Sequence, residues 1–394
     1  MTQNKRWFAV AIFALAASLN FLDRGLLGFQ APRIKAEFHL TNEGYGWLVA
    51  AFSYAYALAS PLVGWFLDLV GLELGIAIAV GLWSVATIFT GLSQTFPQLV
   101  AARIFLGIWE SAGVPAAGKL NSMYLEPKNR AIGAGVTQVG ISLGSILALI
   151  AVARVLNWRQ PFFLGGILGL LWIPLWLYTR SRIRPEFAVG RQPNAGLSLL
   201  LDRRLLVLSA ANLLWMTAYG FWPNWMTLYL VDRFHLTSEA ATAYSWVVYI
   251  AAIPGGFFGG WIARRAMQRG MLPIPARGVV LLVSALGCLC TLLTPLCPTP
   301  AWVGLVMAAS LFWTVAGSVN IYTIPVDIWG PARAATAVSA LVFTYGLSQA
   351  VINPIIGGMV DKAGYGRTFW LVALPPLAAC ALVKWGIPNE KALP

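Results

Sequence analysis

Charge is what this chain has least of. Asp, Glu, Lys and Arg make up 10% of its 394 residues, where a water-soluble chain carries about 25%. So little charge cannot cover a hydrated surface. With 59% hydrophobic residues and 18 Trp, the chain reads as an all-α polytopic membrane protein. Histidine and cysteine are few as well: His39 and His235, then Cys288, Cys290, Cys297 and Cys380. Neither set has the spacing of a metal site or a disulfide framework. The cysteines read as small apolar packing residues, and no metal or other cofactor is expected. Acid is scarcer than base, 14 Asp and Glu against 27 Lys and Arg. The basic residues lie in short loops between apolar runs, without interleaved aromatics. That argues against a nucleic-acid partner and leaves the orientation signal of membrane proteins.

Twelve apolar runs are long enough to cross a bilayer: 7–30, 45–67, 73–94, 97–123, 131–153, 161–179, 205–230, 240–263, 277–297, 300–326, 334–359 and 367–387. The first is preceded by Lys5 and Arg6, as in a signal peptide, but it continues past Ala17 and reads as an uncleaved span. The longest polar stretch, Arg180 to Arg204, falls between spans six and seven. The expected organisation is a six-helix bundle over 1–180, a basic linker over 181–204 and a second bundle over 205–394. With the N-terminus inside, 18 of the 27 Lys and Arg fall in cytoplasmic loops and 7 outside, while Arg24 and Arg103 lie within spans. That bias predicts a multi-pass protein of the cytoplasmic (inner) membrane with both termini cytoplasmic.

The halves repeat one another. Phe38-His39-Leu40-Thr41-Asn42-Glu43 recurs as Phe234-His235-Leu236-Thr237-Ser238-Glu239, ahead of spans two and eight. Pro127-Lys128-Asn129-Arg130-Ala131 recurs as Pro331-Ala332-Arg333-Ala334. Thr41 and Thr237 are candidate helix N-caps, which gives both histidines a structural place rather than a role in proton transfer. Two same-direction halves of six spans joined by a cytoplasmic linker are how major facilitator transporters are built, with the substrate bound near the midplane. Gly140-x-x-x-Gly144 and Gly256-x-x-x-Gly260 are expected close-packing surfaces.

Four charges lie where lipid should forbid them. Asp23 and Arg24 are in span one, and Arg103 and Glu110 in span four. Each costs roughly 2.5–3.5 kcal/mol on insertion scales. Seven residues of helix turn through about 700° and rise about 10.5 Å, so Arg103 and Glu110 face the same way. Static ion pairs would brace the bundle, but buried pairs stabilise weakly, and the scarcity of other membrane charges favours a working site. A carboxylate that exchanges partners in such a place is a proton carrier, and an Arg that exchanges partners can hold a substrate carboxylate bidentately. The second half offers uncharged cavity candidates: Asn212, Tyr219 and Asn224, Asn320 and Tyr322, and Tyr345, Gln349 and Asn353. No nucleophile–base pair, His pair or Gly-rich phosphate loop is present, so no catalytic residue and no enzyme activity are expected.

Asn20-Phe21-Leu22-Asp23-Arg24-Gly25 followed by Ala31-Pro32, and Ala102 to Ser111 followed by Pro115 and Lys119, resemble signatures of the anion:cation symporter branch of the major facilitator superfamily. That branch includes hexuronate, galactonate and phthalate-type permeases and the sialic-acid and vesicular glutamate carriers. The resemblance implies the major facilitator fold, twelve transmembrane helices in two pseudo-symmetric bundles. It implies a monomeric secondary transporter that carries a small organic anion, a sugar acid or other carboxylate, together with protons, with sodium left open as the coupling ion. Arg24 is implied as the substrate contact, Asp23 and Glu110 as protonation sites and Arg103 as the group that tunes them. Tyr56 and Gln138 are similar to cavity residues of bacterial members, and Tyr219, Asn224, Asn320, Tyr345 and Asn353 complete the expected substrate set. The rival reading on the same fold is a proton-coupled exporter of drugs or metabolites. Two departures stand out. Leu69, Leu72 and Glu73 replace basic positions of the loop that keeps Gly64, Asp68 and Gly71, and Leu347-Ser348 stand where sugar-acid permeases carry an Asn.

Overall fold

The computed structural model describes residues 3–126, 130–153, 155, 157–185 and 197–387. Pro127, Lys128, Asn129, Arg154, Arg191, Lys391 and linker residues 186–196 lie outside the described residues, as do the side chains of Asp68, Arg130, Ala131 and residues 330–335. Among the described residues all regular structure is helical, and twelve stretches are long and apolar enough to cross a membrane.

Span one is α1 (Gln3–Phe29), with the short α2 (Ala31–Phe38) behind it. α3 (Asn42–Val70) and α4 (Leu72–Leu92) are spans two and three. Span four is divided into α5 (Phe96–Glu110) and α6 (Gly113–Tyr124), and α7 (Arg130–Ala153) and α8 (Gln160–Arg182) follow. After the single turn α9 (Leu197–Leu200), α10 (Arg203–Phe234) is span seven. Span eight is α11 (Ser238–Ala243) with α12 (Trp246–Gln268), and span nine is α13 (Pro273–Cys288) with a 3₁₀ extension, Leu289–Leu296. Span ten is α14 (Pro300–Ile321) and the first turns of α15 (Ile324–Ala363), whose remainder is span eleven. α16 (Gly366–Ala373) and α17 (Pro375–Gly386) form span twelve.

The chain divides into two compact units, residues 1–39 with 51–192 and residues 40–50 with 193–394. The start of α3 therefore groups with the second unit, which span counting does not anticipate. Its anchoring explains why. Asp361 Oδ1 accepts from Asn42 N at 3.0 Å and from Asn42 Nδ2 at 2.8 Å, while Oδ2 accepts from Glu43 N at 2.8 Å. A carboxylate is thus held against the unsatisfied N–H groups of a helix start. Gly357 lies against Asn42 O and Gly46 against Asn353 O, so closely that a Cβ at either would collide with backbone.

The repeated loop does the same work in both places. His39 and His235 are in the left-handed region, φ 50° and 54°, where each ends a helix. Thr41 Oγ1 accepts from Gly44 N at 3.0 Å and Thr237 Oγ1 from Ala240 N at 3.3 Å. Both threonines therefore cap the helix starts that follow.

Glycines set the closest helix pairs. Gly140 and Gly144 of α7 face Ala14 O and Ser18 O of α1, and Ser18 Oγ donates to Gly140 O at 2.8 Å. In α12 the close register is one residue earlier than expected: Gly255 and Gly259 lie on Phe312 O and Ala316 O of α14. Gly256 makes only ordinary contacts with Val315 and Val319, and nothing lies within 4 Å of a Cβ at Gly260. The run Gly255-Gly256-Phe257-Phe258-Gly259-Gly260 holds both registers about 100° apart, and spacing alone cannot choose between them.

Candidate functional site

The division of span four follows from Pro115. As the third residue of α6 it has no N–H for the Ser111 carbonyl, and its ring crowds that carbonyl. The helix accordingly stops at Glu110 and restarts at Gly113, with Ala112 N bonded back to Trp109 O at 3.2 Å. The span therefore is not the single helix expected over 97–123. Arg103 and Glu110 nevertheless share α5, and both are buried.

Glu110 is fully buried, and its Oε2 accepts from Arg24 Nε at 2.8 Å. Its Oε1 has no hydrogen-bond partner among the described residues. Arg24 keeps 15% of its side-chain exposure and lies over three aromatic rings: Tyr56 at 4.6 Å, Phe21 at 5.0 Å and Phe52 at 5.2 Å. Arg103 lies over Phe52 as well, at 4.8 Å. Phe52 and Tyr56, one helical turn apart on α3, stack with centroids 6.0 Å apart. Rings hold a guanidinium by cation–π attraction worth about 0.5–2 kcal/mol. Asn20 Nδ2 donates to Glu110 O at 3.5 Å, so α1 grips α5 where the helix ends.

Asp23 faces another way, as neighbouring residues on a helix must. Its Oδ2 accepts from Thr87 Oγ1 of α4 at 2.8 Å, and its Oδ1, without a hydrogen-bond partner among the described residues, lies beside Gly165 of α8. Arg24, Arg103 and Glu110 all interact with it electrostatically. The four charges and Tyr56 are therefore brought into one neighbourhood in the first unit. Gln138 is exposed on α7.

In the second unit Tyr219 and Tyr345 meet edge to face, centroids 5.9 Å apart. Asn353 is buried with both functions engaged: Oδ1 accepts from Trp225 Nε1 at 2.8 Å and Nδ2 donates to Gln349 O at 2.7 Å. Asn224 Nδ2 donates to Gly220 O at 2.8 Å. Asn212 Nδ2 donates to Leu341 O and Thr344 Oγ1, and Ser348 Oγ to Leu213 O. Asn320 Oδ1 accepts from Arg277 Nη1 at 3.2 Å, and Arg277 is itself paired with Asp327. This pair corrects the expectation that the second half carries no charge within its spans. Span nine begins at Pro273 rather than Arg277, and span ten runs on to Trp329, so both charges are inside helices.

Three contributors are not among the expected site residues: Thr87, Gly165 and Phe52. Only Phe52 had a signal, its i,i+4 relation to Tyr56. The departure at Glu73 also has a physical account, since Tyr124 OH donates to Glu73 Oε1 at 2.8 Å and Trp176 Nε1 to Glu73 O at 2.8 Å.

Twelve apolar helices with acids and bases buried against one another in spans one and four define the class, a multi-span membrane transporter. Comparison with known proteins gives the family. The Major Facilitator Superfamily profile matches residues 13–352, and the chain belongs to that superfamily. It is 25% identical to the hexuronate transporter of Escherichia coli (strain K12), covering 98% of this chain and 94% of that protein. It is 24% identical to the D-galactonate transporter of Escherichia coli O6:H1, covering 96% and 94%. Such relatives fall in the branch that the charged signatures of spans one and four resemble. A crystal structure of a D-xylose-proton symporter superposes with a TM-score of 0.75 at 16% identity, over 98% of this chain and 99% of that one. A bacterial homologue of the lysosomal transporter Spinster gives 0.73 at 23% identity, over 98% and 93%.

Proposed function

We propose that the chain is a proton-coupled symporter of a small organic anion, a sugar acid or a related carboxylate, working by alternating access in the cytoplasmic membrane with both termini inside. The observation that carries this reading is the Arg24–Glu110 pair: a partly exposed guanidinium on an aromatic bed, bound to a carboxylate with no exposure and one oxygen without a hydrogen-bond partner among the described residues. A proton taken up by Glu110 removes the charge that holds Arg24. The guanidinium is then free to take a substrate carboxylate, with two parallel N–H···O bonds where geometry permits. Loss of the substrate returns Arg24 to Glu110 and expels the proton, so the two passengers are obligately linked. Asp23 is the second protonation site and Arg103 the fixed cation that tunes both acids. The named relatives, which carry hexuronate and galactonate, support the sugar-acid class. With Arg277 counted inside span nine, the 17 to 7 distribution of the other loop basic residues supports the orientation.

Tyr56, Gln138, Tyr219, Asn224, Asn320, Tyr345 and Asn353 remain the proposed contacts to the uncharged body of the substrate. Tyr219 and Tyr345 are half-buried, whereas Tyr56 is buried beneath Arg24 and the amides of Asn320 and Asn353 are already engaged. The test is counterflow in proteoliposomes with hexuronates, galactonate, simple mono- and dicarboxylates and aromatic acids, with and without a pH gradient. Exchange of at least one sugar acid, accelerated into accumulation by an inward proton gradient, is the expected result. Accumulation driven by sodium alone, or extrusion of organic cations with no carboxylate exchange, contradicts it.

A further inference from the structure

Thr87 Oγ1 lies between two acceptors, 2.8 Å from Asp23 Oδ2 and 3.0 Å from the Trp83 carbonyl oxygen. A hydroxyl has one proton to give and can also accept. When Asp23 is ionised, its carboxylate is the stronger acceptor and takes that proton. When Asp23 carries a proton on Oδ2, the acid becomes the donor, Thr87 accepts from it, and the threonine proton turns to Trp83 O. Both states are hydrogen-bonded with no movement of backbone, and the exchange needs only rotation about one C–O bond. Thr87 is fully buried, so water does not substitute for it easily.

We infer that Thr87 is a positioning residue of the coupling reaction, the hydroxyl that holds Asp23 in place in both of its protonation states. The proposal rests on the symport reading above. The other face of Asp23 supports it. Oδ1 has no hydrogen-bond partner among the described residues, and a Cβ at Gly165 would come within 2.8 Å of it; only glycine on α8 leaves that oxygen room. The charged groups that reach Asp23 are Glu110 and Arg103 of α5 and Arg24 of its own helix. α4 and α8 contribute Thr87 and Gly165, which do not titrate.

The experiment uses the full chain in proteoliposomes and reads two quantities across pH. One is the infrared C=O stretch of protonated Asp23, assigned by its loss in Asp23→Asn. The other is gradient-driven uptake of labelled galacturonate. Thr87→Val keeps the shape and removes the donor, which favours the neutral acid. A hydrogen bond to a charged group is worth enough to move the midpoint of the Asp23 band, and of uptake, to higher pH by about one unit or more. Thr87→Ser keeps both midpoints where they are in the unaltered chain. Should Thr87→Val fail to accumulate in membranes, Thr87→Cys, a weaker donor, shifts them in the same direction by less. If Asp23→Asn abolishes gradient-driven uptake but Thr87→Val leaves both midpoints in place, the inference fails and the symport reading stands. If Asp23→Asn keeps gradient-driven uptake, or removes no titrating band, Asp23 is not a coupling site and the inference fails with that assignment, while the symport reading stands on Glu110; the symport reading itself fails if the unaltered chain shows no gradient-driven uptake.

Discussion

The two units use the same backbone device and load it differently. Glu110 lies five residues before Pro115 at the break in span four, and Asn320 lies five residues before Pro325 at the break in span ten. Each meets an arginine: Arg24 Nε at 2.8 Å in the first unit, Arg277 Nη1 at 3.2 Å in the second. There the likeness ends. Around Asn320 every polar side-chain atom has a partner, with Nδ2 on Ala316 O, Oδ1 on Arg277, and Arg277 paired with Asp327 through Nε and Nη2. Around Glu110 one oxygen has no hydrogen-bond partner among the described residues, and the arginine lies over aromatic rings. A filled network resists rearrangement, whereas an ion pair with a spare valence can trade partners. On the proposed function, switching belongs to the first unit and bracing to the second.

The largest predicted effect is on the switching side. Arg24→Ala removes the guanidinium on which the substrate is proposed to replace Glu110, and gradient-driven uptake of galacturonate should fall by more than about 100-fold, since two charge-assisted hydrogen bonds are worth about 3–6 kcal/mol. Arg24→Lys restores only part, because a point charge lacks the fork. Equal uptake by the two variants would remove the bidentate element from the account. On the bracing side, Asn320→Ala orphans one N–H of a buried arginine. It should cost about 1–3 kcal/mol of stability, read as a lower unfolding temperature in detergent, with the pH midpoint of uptake unmoved. A shifted midpoint would mean that the second unit also couples. Gly259→Val and Gly260→Val test packing register. The first drives a side chain into Ala316 O and should reduce folded yield severalfold; the second points into open space and should be neutral.

The smallest effect concerns α2. Glu37 accepts from Arg159 Nη1 at 2.7 Å and from Trp158 Nε1 at 2.5 Å, and Arg159 also donates to Ser93 O at 2.8 Å. The Arg159 hydrogen bond is the main cause that holds the Glu37 carboxyl below its usual range. A carboxylate with a depressed value stabilises the fold above the ordinary Glu pKa, about 4.3, and this contribution is lost as pH falls through the folded-state value. The unfolding temperature of the unaltered chain should therefore exceed that of Glu37→Gln at neutral pH and converge with it in acid. The gap is small, because the Glu37 side chain is 40% exposed and solvent screens such pairs.

Much of this was readable from the residues. Twelve runs gave twelve spans because hydropathy over about 20 residues is a strong signal. The cost of burying Asp23, Arg24, Arg103 and Glu110 singled them out before any contact was known. Thr41 and Thr237 were recognisable as caps because capping is local. What could not be read depends on facing and on distant partners. Pro115 hints at a break in span four, but whether the helix bends or stops depends on what packs around Ser111. The choice between Gly255/Gly259 and Gly256/Gly260 is made by α14. Arg277 stands at the very edge of the apolar run 277–297, whereas the helix starts one turn earlier at Pro273. Thr87 is an ordinary threonine in an apolar span until Asp23 is placed beside it.

The central claim is that Glu110 carries the proton whose arrival frees Arg24. Reconstituted Glu110→Gln, a permanently neutral mimic of the protonated acid, tests it most directly when gradient-driven uptake and counterflow of galacturonate are measured in the same vesicles. The account predicts that uptake driven by the pH gradient is abolished while counterflow persists at a rate near that of the unaltered chain. Loss of both activities in equal measure, or retention of gradient-driven accumulation, would contradict it.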